Sequence, residues 1–410
     1  MTRLLIVSST TLFLLAGTAL PFQAQQGGIN GCYQKNNGQL RVVQKEGDCT
    51  PSELAVSWNR TRSPRHPPSQ AELSVAALQT LGGTENFGYA INDRGEIVGL
   101  SRLAGDGATH AFVYDRDRIT DISPFNSGDI QTVGPTSINS RGQVASGLVV
   151  AGVYLPAVYD SIAQRVTTLG SLGGVTSFGF AGVATSINNM GEAVGYSYLD
   201  GVNRHAFLHS RNVMKDIGSF GGYSAATDIN EPGTVVGFAS NLSNERAHAF
   251  VYSNGTMTDI DPFGRSDFGT SESSAQAIND RGQIVGHGLL GNGTAFHAFL
   301  SSRGVVTDLG TLPGGRNSYA SGINEPGQVV GTADIPYTDT CYDWETGRSY
   351  PCTKFKLSAF LYDKGVMIDL NSYISSDSGW ELISAFDLNA RGQIVGYGLL
   401  DGKFRAFVLH

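Results

Sequence analysis

The sequence predicts an all-β protein whose seven repeated units close into a ring. The nine-residue phrase INEPGQVVG, residues 323–331, occurs in variant form seven times along the chain. Each unit contains four short stretches of strand-forming residues. One such stretch is missing from the last unit and occurs unmatched before the first. Four antiparallel strands in a repeat of roughly 40–50 residues are typical of one propeller blade, so we expect a seven-bladed β-propeller.

The repeated phrase predicts the first hairpin of each unit. Its asparagine stands at positions 92, 139, 188, 230, 279, 324 and 389, with spacings of 47, 49, 42, 49, 45 and 65 residues. Asparagine suits the first position of a turn because its side chain can bond the backbone two residues later. The glycine three residues after it suits a left-handed conformation in a hairpin. The phrase therefore joins the first two strands.

Two further phrases predict the third and fourth strands. His-Ala-Phe begins at His110, His205, His248 and His297, and the corresponding positions elsewhere are Pro156, Ser358 and Arg405. A phrase such as DLGTLPGG, residues 308–315, ends the unit. In the fifth repeat we expect strands near 275–279, 282–290, 295–301 and 304–312.

The seventh unit ends at His410 without its fourth strand. The segment VAALQTLGG, residues 75–83, resembles that strand and precedes the first unit. We expect a strand near 75–81 to complete the last blade, because pairing the two ends leaves no open strand edge at the seam.

The start of the chain predicts export. Residues 1–24 have one Arg, an apolar run and small residues, as in a secretory signal peptide. No later stretch approaches the roughly 18 apolar residues of a membrane-spanning helix, so we expect a secreted, extracellular or periplasmic protein without a transmembrane anchor. Residues 59–70, rich in Pro and Arg, predict a linker between a small β module at 27–58 and the propeller at 71–410.

Four cysteines form two local pairs, Cys32 with Cys49 and Cys341 with Cys352. In an exported protein such pairs favour disulfides, each contributing about 3 kcal/mol through the unfolded state. The first disulfide would staple the N-terminal module. Free or metal-binding thiols are the alternative.

Composition and motifs exclude some classes of function. The net charge of −8 gives no electrostatic support for a nucleic-acid partner. No nucleophile elbow, zinc-protease motif or phosphate loop occurs, and we expect no cofactor and no metal site. The repeated histidines lie on separate blades, so local hydrogen bonds explain them better than metal binding. The repeated acidic residues Asp93, Glu231, Asp280 and Glu325 fit turn chemistry better than catalysis or calcium binding.

The sixth repeat contains the clearest departure from the pattern. From Gly331 to Ser358 there are 27 residues, where four other repeats have 10 or 11. Long segments on a rigid scaffold often carry function, and aromatic residues suit stacking on sugars or anchoring of proteins. The alternative is an insertion that covers a blade edge. The candidate binding residues of the insertion are Tyr337, Tyr342, Trp344, Arg348 and Tyr350.

The repeated phrases, taken together, resemble the HAF-repeat family of probable extracellular bacterial proteins over about residues 80–410. That resemblance implies an exported repeat protein and supplies no reaction or catalytic residues. Repeats two and seven depart from the pattern at the histidine, and repeat one lacks the Gly-Gly end. The cysteine-paired segment near the N-terminus also resembles a short segment found in various secreted bacterial proteins.

Three functions are compatible with this architecture, because propellers support several. The first is an exported scaffold that binds an extracellular or cell-envelope polysaccharide or protein. The second is an extracellular hydrolase or lyase with acidic groups on one propeller face. The third is a structural surface or matrix protein that assembles through the N-terminal module.

Overall fold

The structure is a computed structural model that describes residues 73–123, 135–241, 246–264, 272–291, 293–344 and 347–410, and the backbone of three earlier strands. The chain divides into two units, Met1–Gln70 and Ala71–His410.

The first unit contains a three-stranded antiparallel sheet. Its central strand β1 (Ile29–Gln34) pairs with β2 (Leu40–Val43) on one side and with β3 (Glu53–Trp58) on the other. The predicted signal peptide at 1–24, the linker at 59–70 and the Cys32–Cys49 disulfide lie outside the described residues.

The second unit is all-β and forms a ring of seven four-stranded antiparallel blades, as predicted. Blade one consists of β5 (Gly82–Ile91), β6 (Ile97–Leu103), β7 (Thr109–Asp115) and β8 (Arg118–Asp121). Blade two consists of β9 (Ser137–Ile138), β10 (Gln143–Val150), β11 (Val153–Asp160) and β12 (Arg165–Thr168). Blade three consists of β13 (Gly182–Ile187), β14 (Ala193–Tyr198), β15 (Arg204–Ser210) and β16 (Val213–Asp216). Blades four and five consist of β17 (Ser224–Ile229), β18 (Val235–Ser240), β19 (Ala247–Ser253) and β20 (Thr256–Asp259); and β21 (Ser273–Ile278), β22 (Ile284–Leu289), β23 (Phe296–Ser302) and β24 (Val305–Asp308).

The last two blades complete the ring. They consist of β25 (Ser318–Ile323), β26 (Val329–Asp343), β27 (Arg348–Asp363) and β28 (Val366–Asp369); and β29 (Trp380–Leu388), β30 (Ile394–Leu400), β31 (Lys403–Leu409) and β4 (Val75–Ala77). Short 3-10 helices at Leu370–Tyr373 and Ser376–Ser378 connect these two blades.

The predicted closing strand is confirmed. β4 pairs antiparallel with β31, and Ala77 lies opposite Phe407. It is shorter than expected, spanning 75–77 rather than 75–81. The backbone N–H of His410 donates to Ser74, so both ends of the ring are hydrogen-bonded together.

Most blades pack a phenylalanine of the third strand opposite a glycine of the second. A Cβ on Gly99 would lie 2.8 Å from the Phe112 ring and 1.9 Å from the Phe87 backbone oxygen. Phe207, Phe250, Phe299, Phe360 and Phe407 repeat the arrangement and are fully buried. In blade two Ser146 lies opposite Ala157. Blade two lacks both the glycine and the phenylalanine, which indicates that the phenylalanine side chain requires the space left by a glycine opposite it.

The strand register corrects one predicted equivalence. Ala157 pairs with Ser146 and Thr168, as Phe112 pairs with Gly99 and Asp121. Leu155 rather than Pro156 therefore occupies the histidine position of blade two.

Antiparallel topology gives the ring two distinct faces. The Asn-containing turns between first and second strands lie on one face, which we call the Asn-turn face. The hairpins between second and third strands and the connections between blades lie on the other, which we call the arm face.

Candidate functional site

The seven repeated asparagines form a closed hydrogen-bonded ring at the centre of the Asn-turn face. In each turn the Asn Oδ1 accepts hydrogen bonds from the backbone. At Asn92 the donors are the backbone N–H groups of Arg94 and Glu96, whose nitrogens each lie 3.0 Å from Oδ1. Each Asn Nδ2 donates to the backbone oxygen of the next asparagine, over 2.9–3.2 Å, and Asn389 donates to Asn92. The glycine of every turn has a positive φ, as predicted. These buried amides serve the fold.

The repeated acidic residues also join neighbouring turns. Asp93 accepts the N–H of Ala390 at 2.9 Å, and Glu231 accepts that of Asn189 at 2.8 Å. Asp280 and Glu325 accept N–H groups of the preceding turns in the same way. The turns surround a cavity of about 220 Å³ lined by residues of all seven blades. The acidic side chains therefore have a structural role in the turns that surround this cavity.

Two carboxyl groups that are not part of the repeat occur at one position of the blades: Asp228 lines the cavity, and Asp387 is its equivalent in blade seven. Asp228 and Asp387 stand two residues before the asparagine, where the other blades have Ala, Ser or Gly. Asp228 accepts from Ser186 Oγ at 2.6 Å and from the N–H of Ile278 at 2.9 Å, so it contacts both neighbouring blades. Asp387 accepts the N–H of Ile91 at 2.9 Å across the ring seam.

Burial raises the pKa of both carboxyl groups. The pKa of Asp228 rises to about 6 and that of Asp387 to about 7. The negative charges of Asp228 and Asp93 raise the Asp387 pKa further. Neither residue was predicted as a site residue from the sequence. The sequence does distinguish them, because each places a charged side chain at a repeat position that is small elsewhere.

The repeated histidines make the local hydrogen bonds that the sequence predicts. The Nδ1 atoms of His110, His205, His248 and His297 lie 2.7–2.9 Å from the aspartate that ends the fourth strand. In blade six Ser358 replaces histidine and bonds Asp369 at 2.7 Å. The pairs join the third and fourth strands of their blades.

One of these pairs has a serine on its other side. Ser219 Oγ lies 3.3 Å from His205 Nε2, and His205 Nδ1 lies 2.9 Å from Asp216, the atom order of a catalytic triad. The Ser219 oxygen also accepts the N–H of Gly221 at 3.1 Å. Because the His–Asp half recurs in four blades, we interpret the cluster as an interstrand contact.

The insertion of blade six is a β-hairpin that extends beyond the blade. Paired residues continue from Ile335 with Lys356 to Asp343 with Arg348, and we call residues 335–356 the arm. Nine residue pairs at ~3.3 Å per residue make it roughly 30 Å long. The predicted Cys341–Cys352 disulfide is present and joins its strands, with Cα atoms 5.7 Å apart.

The structure divides the predicted binding residues between the two faces of the arm. Strand alternation places Tyr337, Arg348 and Tyr350 on the face of the disulfide, together with the Asp339–Lys354 ion pair at 2.6 Å. Tyr342 lies on the opposite face and contacts Trp344 at the tip, with ring centroids 4.9 Å apart. We call this second side the aromatic face. It is uncharged and exposes Thr338, Thr340, Ser349, Pro351 and Thr353.

Buried polar contacts hold the base of the arm. Asp334 is buried and accepts the backbone N–H groups of Arg316 and Asn317. The Arg316 guanidinium lies over the Phe355 ring, 4.3 Å from its centroid. The arm therefore leaves the blade in a defined direction.

A second exposed aromatic residue was missed from the sequence. Phe178 lies in the connection into blade three, on the arm face, and is 94% exposed. Its signal in the sequence is the length of this connection relative to those into blades one, four and six.

Known proteins resemble parts of this chain. Residues 176–292, less than half of the chain, match a family described as a protein of unknown function (DUF3466). No curated protein matches significantly. The match does not test the HAF-repeat resemblance, which stays a prediction.

Several solved structures are similar to this chain at low identity. The chain is 12% identical to TolB from Acinetobacter baumannii, covering 80% of this chain and 65% of that one, with a TM-score of 0.40. It is 10% identical to a puromycin-hydrolyzing peptidase of Mycobacterium tuberculosis, covering 80% and 49%, with a TM-score of 0.45. It is also 10% identical to the propeller domain of the Trilobed protease from Pyrococcus furiosus, covering 79% and 93%, with a TM-score of 0.46. The chain thus spans under two thirds of the first two proteins.

Two features are absent from the described residues. These residues contain no group of three or more His, Cys, Asp or Glu side chains placed to hold a metal ion. They also contain no helix with the length and hydropathy needed to span a membrane.

Proposed function

We propose that this protein is an exported binding scaffold whose arm contacts a neutral extracellular or cell-envelope polysaccharide. The observation that carries the proposal is the pair of exposed rings at the arm tip, Tyr342 at 51% and Trp344 at 89% exposure. Rings of this kind stack on the apolar faces of sugars. The hydroxyl groups along the same face can exchange hydrogen bonds with sugar hydroxyls.

The absence of charge on the aromatic face favours a neutral ligand over an acidic one. The charged side chains Asp339, Arg348 and Lys354 lie on the other side of the arm. The disulfide and the Asp334 contacts restrain the arm before binding, which lowers the entropic cost of association. A disulfide is also typical of proteins outside the cytoplasm, in agreement with the predicted signal peptide.

The test is affinity electrophoresis of the purified protein in gels containing hydroxyethyl cellulose, glycol chitin or dextran, with alginate as the acidic comparison. We expect retardation in a neutral gel that Trp344→Ala and Tyr342→Ala abolish. Tyr350→Ala is the matched control, because Tyr350 is equally exposed at 51% and lies on the disulfide face. Equal loss in the control, or no retardation in any neutral gel, would contradict the proposal. Capture of a protein through Trp344 would favour a protein partner instead.

The alternative, an extracellular hydrolase or lyase on one propeller face, is supported by Asp228 and Asp387. Their raised pKa values suit acid–base chemistry, although both already accept backbone hydrogen bonds. Polysaccharide cleavage that Asp228→Asn and Asp387→Asn abolish, with the melting temperature retained, would favour this alternative.

A further inference from the structure

The connection into blade three is longer than those into blades one, four and six. In this connection the apolar residue before the repeated asparagine stands 13 residues after the second glycine of the Gly-Gly pair. In three other connections the same interval is 7 or 8 residues. The other three begin at Gly83, Gly222 and Gly315. We call this longer connection the added segment of blade three; blade six carries the arm. Both segments lie on the arm face, because one connects two blades and the other joins a second to a third strand.

The added segment in blade three is held in a defined conformation. Its turn is closed by a bond from the Gly179 N–H to the Thr176 oxygen at 2.9 Å. Thr176 Oγ1 accepts the N–H of Phe180 at 3.0 Å. Tyr154 of blade two donates its N–H to the Gly179 oxygen at 2.7 Å. Phe178 is thus presented to solvent from a fixed turn.

Three more exposed aliphatic side chains belong to the same segment or to the hairpin bonded to it. Val175 lies in the same segment, and Leu199 and Val202 lie in the neighbouring hairpin of blade three. The two segments are bonded through the Gly174 N–H and the Tyr198 oxygen at 2.8 Å. Asp200 Oδ1 accepts the N–H of Val202 at 2.8 Å and fixes that hairpin. We call Val175, Phe178, Leu199 and Val202 the Phe178 patch.

We infer that the Phe178 patch is a second contact for the polymer that the arm binds, so that the ligand is a long neutral polysaccharide lying across the arm face. This inference rests on the proposed function. Phe178 and Trp344 are the two most exposed large hydrophobic side chains of the described residues, and both belong to segments on the arm side of the ring. Blades three and six are three positions apart in a ring of seven, so the two contacts lie on nearly opposite sides.

The separation of the two contacts determines how long a ligand must be to reach both. A short oligosaccharide can occupy one contact, whereas a polymer can reach both. Two linked weak contacts raise the overall affinity by one or more orders of magnitude when the linker spans the sites. The patch side chains are uncharged, as are those of the aromatic face, so both suit the same neutral ligand.

The test compares polymer with tetrasaccharide: hydroxyethyl cellulose with cellotetraose, or glycol chitin with chitotetraose, according to which gel retards the protein. We expect Phe178→Ala to weaken polymer binding about tenfold or more and to leave the tetrasaccharide Kd unchanged. Ile162→Ala is the matched control, since Ile162 is 71% exposed on the turn between the third and fourth strands, at the Asn-turn face. We expect it to change neither affinity.

The outcomes separate the two proposals. If Trp344→Ala abolishes both affinities and Phe178→Ala leaves polymer binding unchanged, the second contact is wrong and the proposed function stands. If Trp344→Ala changes neither affinity, the proposed function is wrong as well. Equal affinity of the wild-type protein for polymer and tetrasaccharide would also overturn the second contact.

Discussion

Asn389 donates its side-chain amide to the backbone oxygen of Asn92, 3.1 Å away, and this bond joins the last blade to the first. It is the seventh of seven equivalent bonds and completes a ring that local turn chemistry alone does not require. Asn389→Ala leaves a buried carbonyl without this donor and also removes the turn contacts. We expect a loss of about 1–3 kcal/mol in the free energy of unfolding, measured by chemical denaturation. Gln393→Ala, which removes a neighbouring partner of the amide and a bond to His410 but leaves the interblade bond, should cost less. Equal losses would contradict a special role for the interblade bond.

The raised pKa of Asp387 predicts how stability depends on pH. An unfolded aspartate has a pKa near ~3.9, whereas the folded value is about 7. Between these values the native state binds the proton more tightly, so this group makes the protein less stable as the pH rises from about 4 to 7. The side-chain amide of an Asp387→Asn variant cannot ionise. The melting temperature of the variant minus that of the wild type should therefore increase over this range, and a constant difference would contradict the shift.

The glycine–phenylalanine pairs predict an intolerance of small changes. A Cβ on Gly237 would lie 2.1 Å from the Ala225 oxygen and 2.9 Å from the Phe250 ring. Gly237→Ala should destabilise the protein by about 3 kcal/mol or by enough to prevent folding, since the core is closely packed. Ser146→Gly in blade two, where no phenylalanine lies opposite, should have a much smaller effect. Thermal melts of both variants test the prediction, and similar melting temperatures would contradict the proposed packing of glycine against phenylalanine.

The disulfide should matter for binding more than for ring stability. Cys341 and Cys352 join two strands of the arm, outside the blades. Replacing both with serine should lower the melting temperature by only a few degrees, because about 3 kcal/mol of unfolded-state constraint is removed from a large chain and no blade contact is lost. Retardation in the polysaccharide gel should weaken, since the arm then has more conformations to lose on binding. A large drop in melting temperature with unchanged retardation would assign the disulfide to the fold.

Much of the architecture is predictable because it depends on local patterns repeated seven times. The Asn-to-Gly spacing predicts the hairpins, and the unmatched strand before repeat one predicts the closing strand β4. The interblade bonds of the asparagines are not predictable, because they join residues 42 to 65 positions apart, and Asn389 to Asn92 across the whole ring. The equivalence of Leu155 with the repeated histidines depends on strand register, which sequence similarity at Pro156-Ala157 obscures.

The candidate site was only partly predictable for a similar reason. The extra length of repeat six predicts an exposed segment, and its aromatic residues are visible in the sequence. Their division between two faces follows from the pairing of Tyr342 with Ser349 and of Cys341 with Tyr350, which requires the hairpin register. Asp228, Asp387 and Phe178 become visible only when the repeats are compared position by position.

The most direct measurement of the central claim is the accessibility of Trp344 with and without polymer. The chain has three tryptophans, and the difference between wild type and Trp344→Phe isolates the fluorescence of Trp344. Free Trp344 is 89% exposed and should be strongly quenched by acrylamide. Saturating neutral polysaccharide should protect it if sugar stacks on its ring. Unchanged quenching of Trp344 while the polymer is bound would contradict the arm as the binding site.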